Sequence, residues 1–392
     1  MPASAPCLPP PERGPSCNLL GYTMDWPRRG SVLVIVLVTL VFAAMALLAF
    51  VERAGDDLLV EARVADAARL RSEAYSALET TLAVLEDFRL VGGALRSPAE
   101  GWSDPLGWVG YTPAMEGRTV EVSLADESGK LPLPNTEFLT LVALFTHEGL
   151  APNDAERLSD ALLGWIRADY VPVTAGAPRA DDYERAPLPF APPGRSLRSF
   201  RELASIDVAR EFFLDEAGNP NALAARFAEA VSLYAYPRPN VNGAPDAVFV
   251  ALAAYTETQR SQLRDYFAGT GNYLAEGPGF FHAPEDAGLV LGAQSVASGF
   301  AAQIRALRIT VTVRQGRSSF QLNALVAPPN GARPVTPVRV PGATTAAAAG
   351  QTGTVAATAT PLAELNYPFT LLEITENAAM SVVASAQAGE TL

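Results

Sequence analysis

The chain has 392 residues, 49% of them hydrophobic, and a formal net charge of −13, enough apolar content for one large or two modest domains beyond any membrane segment. That acidic balance repels phosphate backbones and argues against nucleic acid as a partner, while leaving divalent cations and basic protein surfaces open. The two cysteines, Cys7 and Cys17, lie in a Pro- and Gly-dense stretch with no apolar period; a chain that loses it has no thiol for a disulfide, a nucleophile or a Cys-type zinc site.

Arg28-Arg29-Gly30 abut Ser31 to Val51, 21 residues without a charge and long enough to span a bilayer. No small-residue cleavage site follows this apolar core, so it is expected to stay in the mature protein. Arg28 and Arg29 place the short N-terminal side in the cytoplasm and everything after Val51 across the membrane. Met24 stands just ahead of Asp25-Trp26-Pro27; a start there gives a leader of seven residues and leaves residues 1–23 untranslated.

From Glu52 to about Leu90 the helical pattern continues, with Val60, Val64, Ala67, Ala74, Leu78, Leu82, Leu85 and Phe88 on one stripe. Joined to the apolar run this predicts a rod of about 60 residues, roughly 90 Å long, whose outer half packs its stripe on a globular head. Gly92-Gly93 ends it. Thr119 to Leu124 alternates as a strand, and Asp126-Glu127-Ser128-Gly129-Lys130 is a turn cluster leading to Leu131-Pro132-Leu133-Pro134-Asn135-Thr136. Helices are expected over Glu137–Glu148, Asn153–Asp169, Ser199–Phe213 and Ala222–Leu233, with a Pro-rich polar loop from Tyr170 to Gly194. Asn240-Val241-Asn242-Gly243-Ala244-Pro245 precedes a further helix, Asp246–Phe267, echoing how Leu133 to Thr136 precedes the helix at Glu137. Ala306–Val313 and Ser319–Val326 read as a hairpin around Arg314 to Ser318. A tract of Pro, Ala, Gly and Thr from Pro328 to about Thr360 has the composition of a loose loop, and Tyr367–Thr375 reads as a last strand. The fold class is therefore α+β, a sheet assembled from distant segments with a helical block between its pieces.

Taken in order, Arg28-Arg29-Gly30-Ser31 with its apolar helix, Asp126 to Thr136, Asp160-Ala161-Leu162-Leu163-Gly164-Trp165-Ile166-Arg167-Ala168-Asp169, Asp181-Asp182-Tyr183, Ser199-Phe200-Arg201-Glu202-Leu203 and Asn240 to Pro245 resemble the minor pseudopilin K family of the bacterial type II secretion system. The resemblance covers nearly the whole chain. It departs at Pro134, where the family usually has Asn, and at Gly243, where it usually has Thr. It implies cleavage after Gly30 by a prepilin peptidase and methylation of the new Ser31 amine. It also implies a long helix on a pilin-like antiparallel sheet with a large inserted all-helical domain. The implied partners are minor pseudopilins I and J at a pseudopilus tip and an inner-membrane secretion platform, with the bulk of the chain in the periplasm. On this reading the chain divides into a leader (1–30), a membrane helix (31–51), the stem with the first part of the pilin-like domain (52–125) and the inserted helical domain (126–239). A second strand-to-helix turn and the sheet hairpin (240–327), the low-complexity loop (328–366) and the final strand and tail (367–392) follow.

Position five after the cut is Ile35. In ordinary pilins a Glu there neutralises the terminal amine of a neighbouring subunit inside the apolar filament core, and an unpaired buried charge is costly. A subunit at the end of a filament has no such neighbour above it, so Ile35 suits a cap and fits a repeating shaft subunit poorly. Asp169, Asp181, Asp182 and Glu184 crowd one loop that could fold around Ca²⁺, without EF-hand spacing; the alternative is a solvated acidic loop. No cofactor is required. His147 and His282 are the two histidines and neither sits in a pattern for a base or a ligand, while no G-x-S-x-G, H-E-x-x-H or P-loop occurs. Trp165 is expected in the core, and Trp102 and Trp108 in packing or partner contact. The function read from this is a non-enzymatic pseudopilus tip protein. The rivals are a minor pilin of a related type IV filament and a membrane-anchored periplasmic hydrolase.

Overall fold

In the computed structural model, which describes residues 31–185, 190–273, 279–292, 299–333 and 368–377, the first element is a 62-residue helix, α1 (Ser31–Gly92). The chain divides into two compact units, residues 1–65 and 66–392. In the first, every described side chain from Val32 to Val51 is exposed, including Leu37 at 62% and Phe42 at 68%. Among the described residues α1 is the one helix long and apolar enough to cross a membrane. Such a continuous apolar surface is stable in lipid or against other apolar helices and is very unfavourable in water.

In the second unit, α1 buries Leu70, Ala74, Ala77, Leu78, Leu82 and Leu85 at helical spacing against Ile309, Val311, Val313, Phe320, Leu322, Ala324 and Val326. The expected stripe was longer: Val60 and Val64 stay 58% and 65% exposed and Ala67 is exposed too. Strands of nine or ten residues are about 30 Å long and can cover only about 18–20 residues of helix, which matches burial from Leu70 to the half-buried Phe88.

That sheet has the order β1 (Arg118–Asp126), β4 (Leu307–Gln315), β5 (Ser318–Ala327), β6 (Thr370–Glu376), antiparallel throughout. β4 and β5 pair from Leu307 with Val326 to Gln315 with Ser318, closing on a two-residue turn in which Gly316 takes a φ of 58°. Leu307, Ile309, Val311 and Val313 alternate inward, as the sequence pattern requires. Residues 334–367, which hold most of the low-complexity tract and the expected start of the last strand at Tyr367, lie outside the described residues.

A short α2 (Pro105–Trp108) precedes β1, and between β1 and β4 come α3 (Phe138–His147), α4 (Pro152–Ile166), α5 (Ala180–Glu184), α6 (Asp207–Phe213), α7 (Ala222–Ala230), α8 (Asp246–Ala253), α9 (Glu257–Ala268) and α10 (Ala287–Leu291). A two-strand parallel pair, β2 (Leu131–Pro132) with β3 (Val231–Ser232), ties the ends of this block together. One hydrophobic core runs from Leu131 to Ala302, centred on Phe145, Leu162, Phe213, Phe227 and Val248. The helical module therefore passes the boundary expected at residue 239, because α8 packs on α3. The expected single helix Asp246–Phe267 is two: Ala254 takes a left-handed φ of 51°, and Thr256 with Gln259 forms a capping box that starts α9 afresh.

Candidate functional site: a buried polar joint between sheet and helical core

β1 ends at Asp126, and its carboxylate organises the turn that leaves the sheet. Asp126 Oδ1 accepts from the Ser128 backbone N–H at 2.8 Å and its hydroxyl at 2.5 Å, while Oδ2 accepts from Asn240 Nδ2 at 2.7 Å. Asn240, fully buried, also donates through Nδ2 to the Arg96 carbonyl at 2.9 Å and through its backbone N–H to the Ser128 carbonyl at 2.7 Å. The Ser128 hydroxyl accepts from the Arg305 backbone N–H at 2.8 Å, and the Glu127 and Ser128 N–H groups both donate to the Ala306 carbonyl. Three segments distant in sequence thus meet on one carboxylate and one amide, and Arg305-Ala306 joins them through Glu127 and Ser128. Burial pushes the Asp126 carboxyl up to about 6, with the Ser128 and Asn240 hydrogen bonds partly opposing it.

Backbones approach very closely here, which explains two glycines. A Cβ on Gly129 would lie 2.0 Å from the Gly243 carbonyl oxygen, and one on Gly243 would lie 2.3 Å from Asp126 Oδ2. A side chain at Gly243 would therefore strike the joint directly. Around it, the Tyr236 hydroxyl donates to the carbonyls of Glu127 (3.0 Å) and Lys130 (2.7 Å), and Asn135 Nδ2 returns a bond to the Tyr236 carbonyl at 2.8 Å. Glu127 pairs with Lys130 at 3.0 Å and Arg308 at 3.4 Å. The echoed segments are both 3-10 turns, Leu133–Asn135 and Val241–Gly243, each feeding one of the packed helices α3 and α8.

The other motifs are joints of the same kind. Asp160, fully buried on α4, accepts from the Tyr170 hydroxyl and from the Val173 and Thr174 N–H groups, both at 2.6 Å, and so pins the Pro-rich loop. A Cβ on Gly164 would lie 2.7 Å from Pro172, and Arg167 reaches the Thr136 carbonyl, linking the 160–169 motif to the first. On the stem, Glu73 is a buried charge that the apolar periodicity concealed. It accepts from Tyr111 at 2.7 Å, the Ala114 N–H at 3.1 Å and Arg118 at 2.8 Å. Burial opposes its ionisation, but the Tyr111, Ala114 and Arg118 interactions together outweigh that and hold its pKa below the usual carboxylate range. At the far edge of the sheet Glu376 accepts from Arg71 (2.8 Å) and Tyr75 (2.7 Å), fastening β6 to the stem. Each of these carboxylates is engaged by donors within the fold, an arrangement that holds elements together.

Of the residues singled out in the sequence, Gly30 lies outside the described residues, Ser31 begins α1, and Ile35 is on its exposed apolar surface. Asp169, Asp181, Asp182 and Glu184 are all exposed and are not brought together: Asp181 and Asp182 face Arg185 at 3.4 and 3.7 Å, and Asp182 accepts from the Arg179 N–H at 2.8 Å. Among the described residues no group of three or more His, Cys, Asp or Glu side chains could hold a metal ion. In the Asp181-Asp182-Tyr183 motif it is Tyr183 that enters the core, edge-on to Trp165. His147 ends α3 and His282 stands by Phe280, both exposed. Trp102 is fully buried and donates to Glu100, whereas Trp108 is 65% exposed against Phe88. Asn240 and Glu73 were missed as a pair of anchors, although the echo around Asn240 was a signal for the first.

Residues 123–215 match the family model described as Type II secretion system (T2SS), protein K. No curated protein matches the chain. Among solved structures, a chain of the GspK-GspI-GspJ complex from the enterotoxigenic Escherichia coli type 2 secretion system is similar at a TM-score of 0.47 and 13% identity, over 81% of this chain and 98% of that one. The matched family is a component of the type II secretion system. The segment from the end of β1 through the Asp160 loop to just beyond α6 is therefore the part of the chain that is similar to type II secretion system protein K.

Proposed function

We propose that this chain is a minor pseudopilin that sits at the tip of the type II secretion pseudopilus and starts and caps its assembly with minor pseudopilins I and J. The observation that carries the reading is Ile35 in an anchor with no charge from Ser31 to Val51. A shaft subunit lacking a carboxylate there would bury a neighbour's ammonium unpaired, at several kcal/mol; a terminal subunit has no such neighbour. The helical module, joined to the sheet at Asp126 and Asn240, supports the same reading as bulk that a repeating shaft subunit would have to accommodate.

On this reading prepilin peptidase cuts after Gly30, Ser31 is methylated, and the anchor waits in the inner membrane with the head in the periplasm until the secretion platform lifts it. Leaving lipid is tolerable because the filament core offers a replacement apolar environment. Calcium at Asp169, Asp181, Asp182 and Glu184 forms no part of the proposal. Mass spectrometry of the chain recovered from its native membrane tests the processing: a methylated Ser31 N-terminus supports it, and an uncut or differently cut chain refutes it. Co-purification with minor pseudopilins I and J in mild detergent separates the secretion role from a type IV pilus role, which would bring other partners.

A further inference from the structure

A cleft of about 550 Å³ opens between the 3-10 turn Phe200–Ser205, α6, α7 and the outer face of the sheet. Its walls are apolar: Phe200, Leu203, Phe213, Leu214 and Leu233. Arg198 and Arg201, both exposed, stand in its lining, and among the described residues neither guanidinium has an ion-pair or hydrogen-bond partner; only their backbone N–H groups are engaged. The carboxylates that also line the cleft are already occupied, Glu127 by Lys130 and Arg308, and Glu373 by the Tyr234 hydroxyl at 2.8 Å. With Arg308, the lining carries three guanidiniums against Glu127 and Glu373, a net positive spot beside an apolar hollow on a chain of net charge −13.

We infer that this cleft binds an acidic peptide segment of another protein, one that places an aromatic or branched apolar side chain between Phe200 and Leu233 and flanking carboxylates on Arg198 and Arg201. The volume falls in the range of sites that hold a few side chains, and the planar guanidinium suits a carboxylate. Small anions would leave the apolar walls unused, which favours the peptide. This inference does not depend on the tip position, since a chain placed anywhere in a filament would carry the same cleft.

The test is fluorescence anisotropy on the full chain in mild detergent with labelled Glu-Phe-Glu-Leu-Glu, and with Lys-Phe-Lys-Leu-Lys and Glu-Ser-Glu-Ser-Glu as comparisons. Saturable binding of the first peptide alone is expected, weakened about tenfold for each of Arg198→Ala and Arg201→Ala, the loss of one charge-assisted hydrogen bond apiece. Ala204→Trp, at an exposed position in the lining, should block it without lowering the melting temperature. Failure of the acidic apolar peptide to bind, equal binding of either comparison peptide, full affinity in the double arginine variant, or displacement by millimolar inorganic phosphate would each overturn the inference.

Discussion

Asn240→Ala removes the amide on which the sheet and the helical module meet. The side chain donates to the Asp126 carboxylate at 2.7 Å and to the Arg96 carbonyl at 2.9 Å from a fully buried position. A hydrogen bond to a charged group contributes about 1.5–3 kcal/mol and one to a neutral carbonyl about 1. Truncation also leaves a small void and a less solvated carboxylate, so a loss of about 3–5 kcal/mol is expected. Against a typical domain stability of about 5–15 kcal/mol this is large. Urea unfolding of the full chain in detergent should show it, and the tryptophans allow the two parts to be followed separately: Trp102 sits in the core under the sheet and Trp165 in the helical core. With Trp26 and Trp108 also replaced by Phe, the parent protein should unfold with coincident transitions in Trp165→Phe and Trp102→Phe backgrounds, and Asn240→Ala should separate them. A loss below about 1 kcal/mol with the transitions still coincident would refute the view that this amide couples the modules.

Asp126 makes a pH prediction of definite sign. Its folded-state pKa of about 6 exceeds its usual 3.8, so the folded state takes up the proton first and stability falls as pH rises from about 4 to 6. That displacement corresponds to about 3 kcal/mol; comparing urea midpoints at pH 4 and 7 should reveal most of it and find it missing in Asp126→Asn. Glu73 runs the other way: its lowered pKa contributes stability that is present above the ordinary carboxylate pKa and lost as pH falls below it. Glu73→Ala, which leaves Arg118 buried and unpaired, should lower stability by about 3–5 kcal/mol in the same assay, and more than the Glu73→Ala/Arg118→Met double variant does. Gly129→Ala should destabilise well beyond the usual effect of one methyl, because its Cβ would meet backbone at 2.0 Å; a neutral melting temperature would contradict the close approach of the two turns.

How much of this was legible in the sequence differs element by element. The anchor and the β4–β5 hairpin were plain, because 21 uncharged residues and strict alternation each admit few other structures. The stem's stripe was read correctly in phase and too long in extent: periodicity says which face can bury, while the length of the sheet decides how far, and Val60 and Val64 fall beyond it. The break between α8 and α9 was written in Thr256-Glu257-Thr258-Gln259, a capping box directly after the apolar run that ends at Tyr255. Glu73 could not be read as a buried anchor, since Arg118 is 45 positions away and the pairing exists only once α1 lies on the sheet. The acidic loop left two readings open, a Ca²⁺ loop and a solvated one. Asp181 and Asp182 look like ligands in one dimension, but the short α5 turns them towards Arg185 and solvent and directs Tyr183 inward.

The central claim, a terminal place in the filament, is open to direct observation. The mature chain as read here contains no cysteine, so Leu139→Cys, at a position 75% exposed on α3, offers a single site for a maleimide-gold label. Electron microscopy of pseudopili assembled with this labelled chain should find gold at one end of each filament, one particle per fibre. Particles recurring along the shaft would contradict the claim.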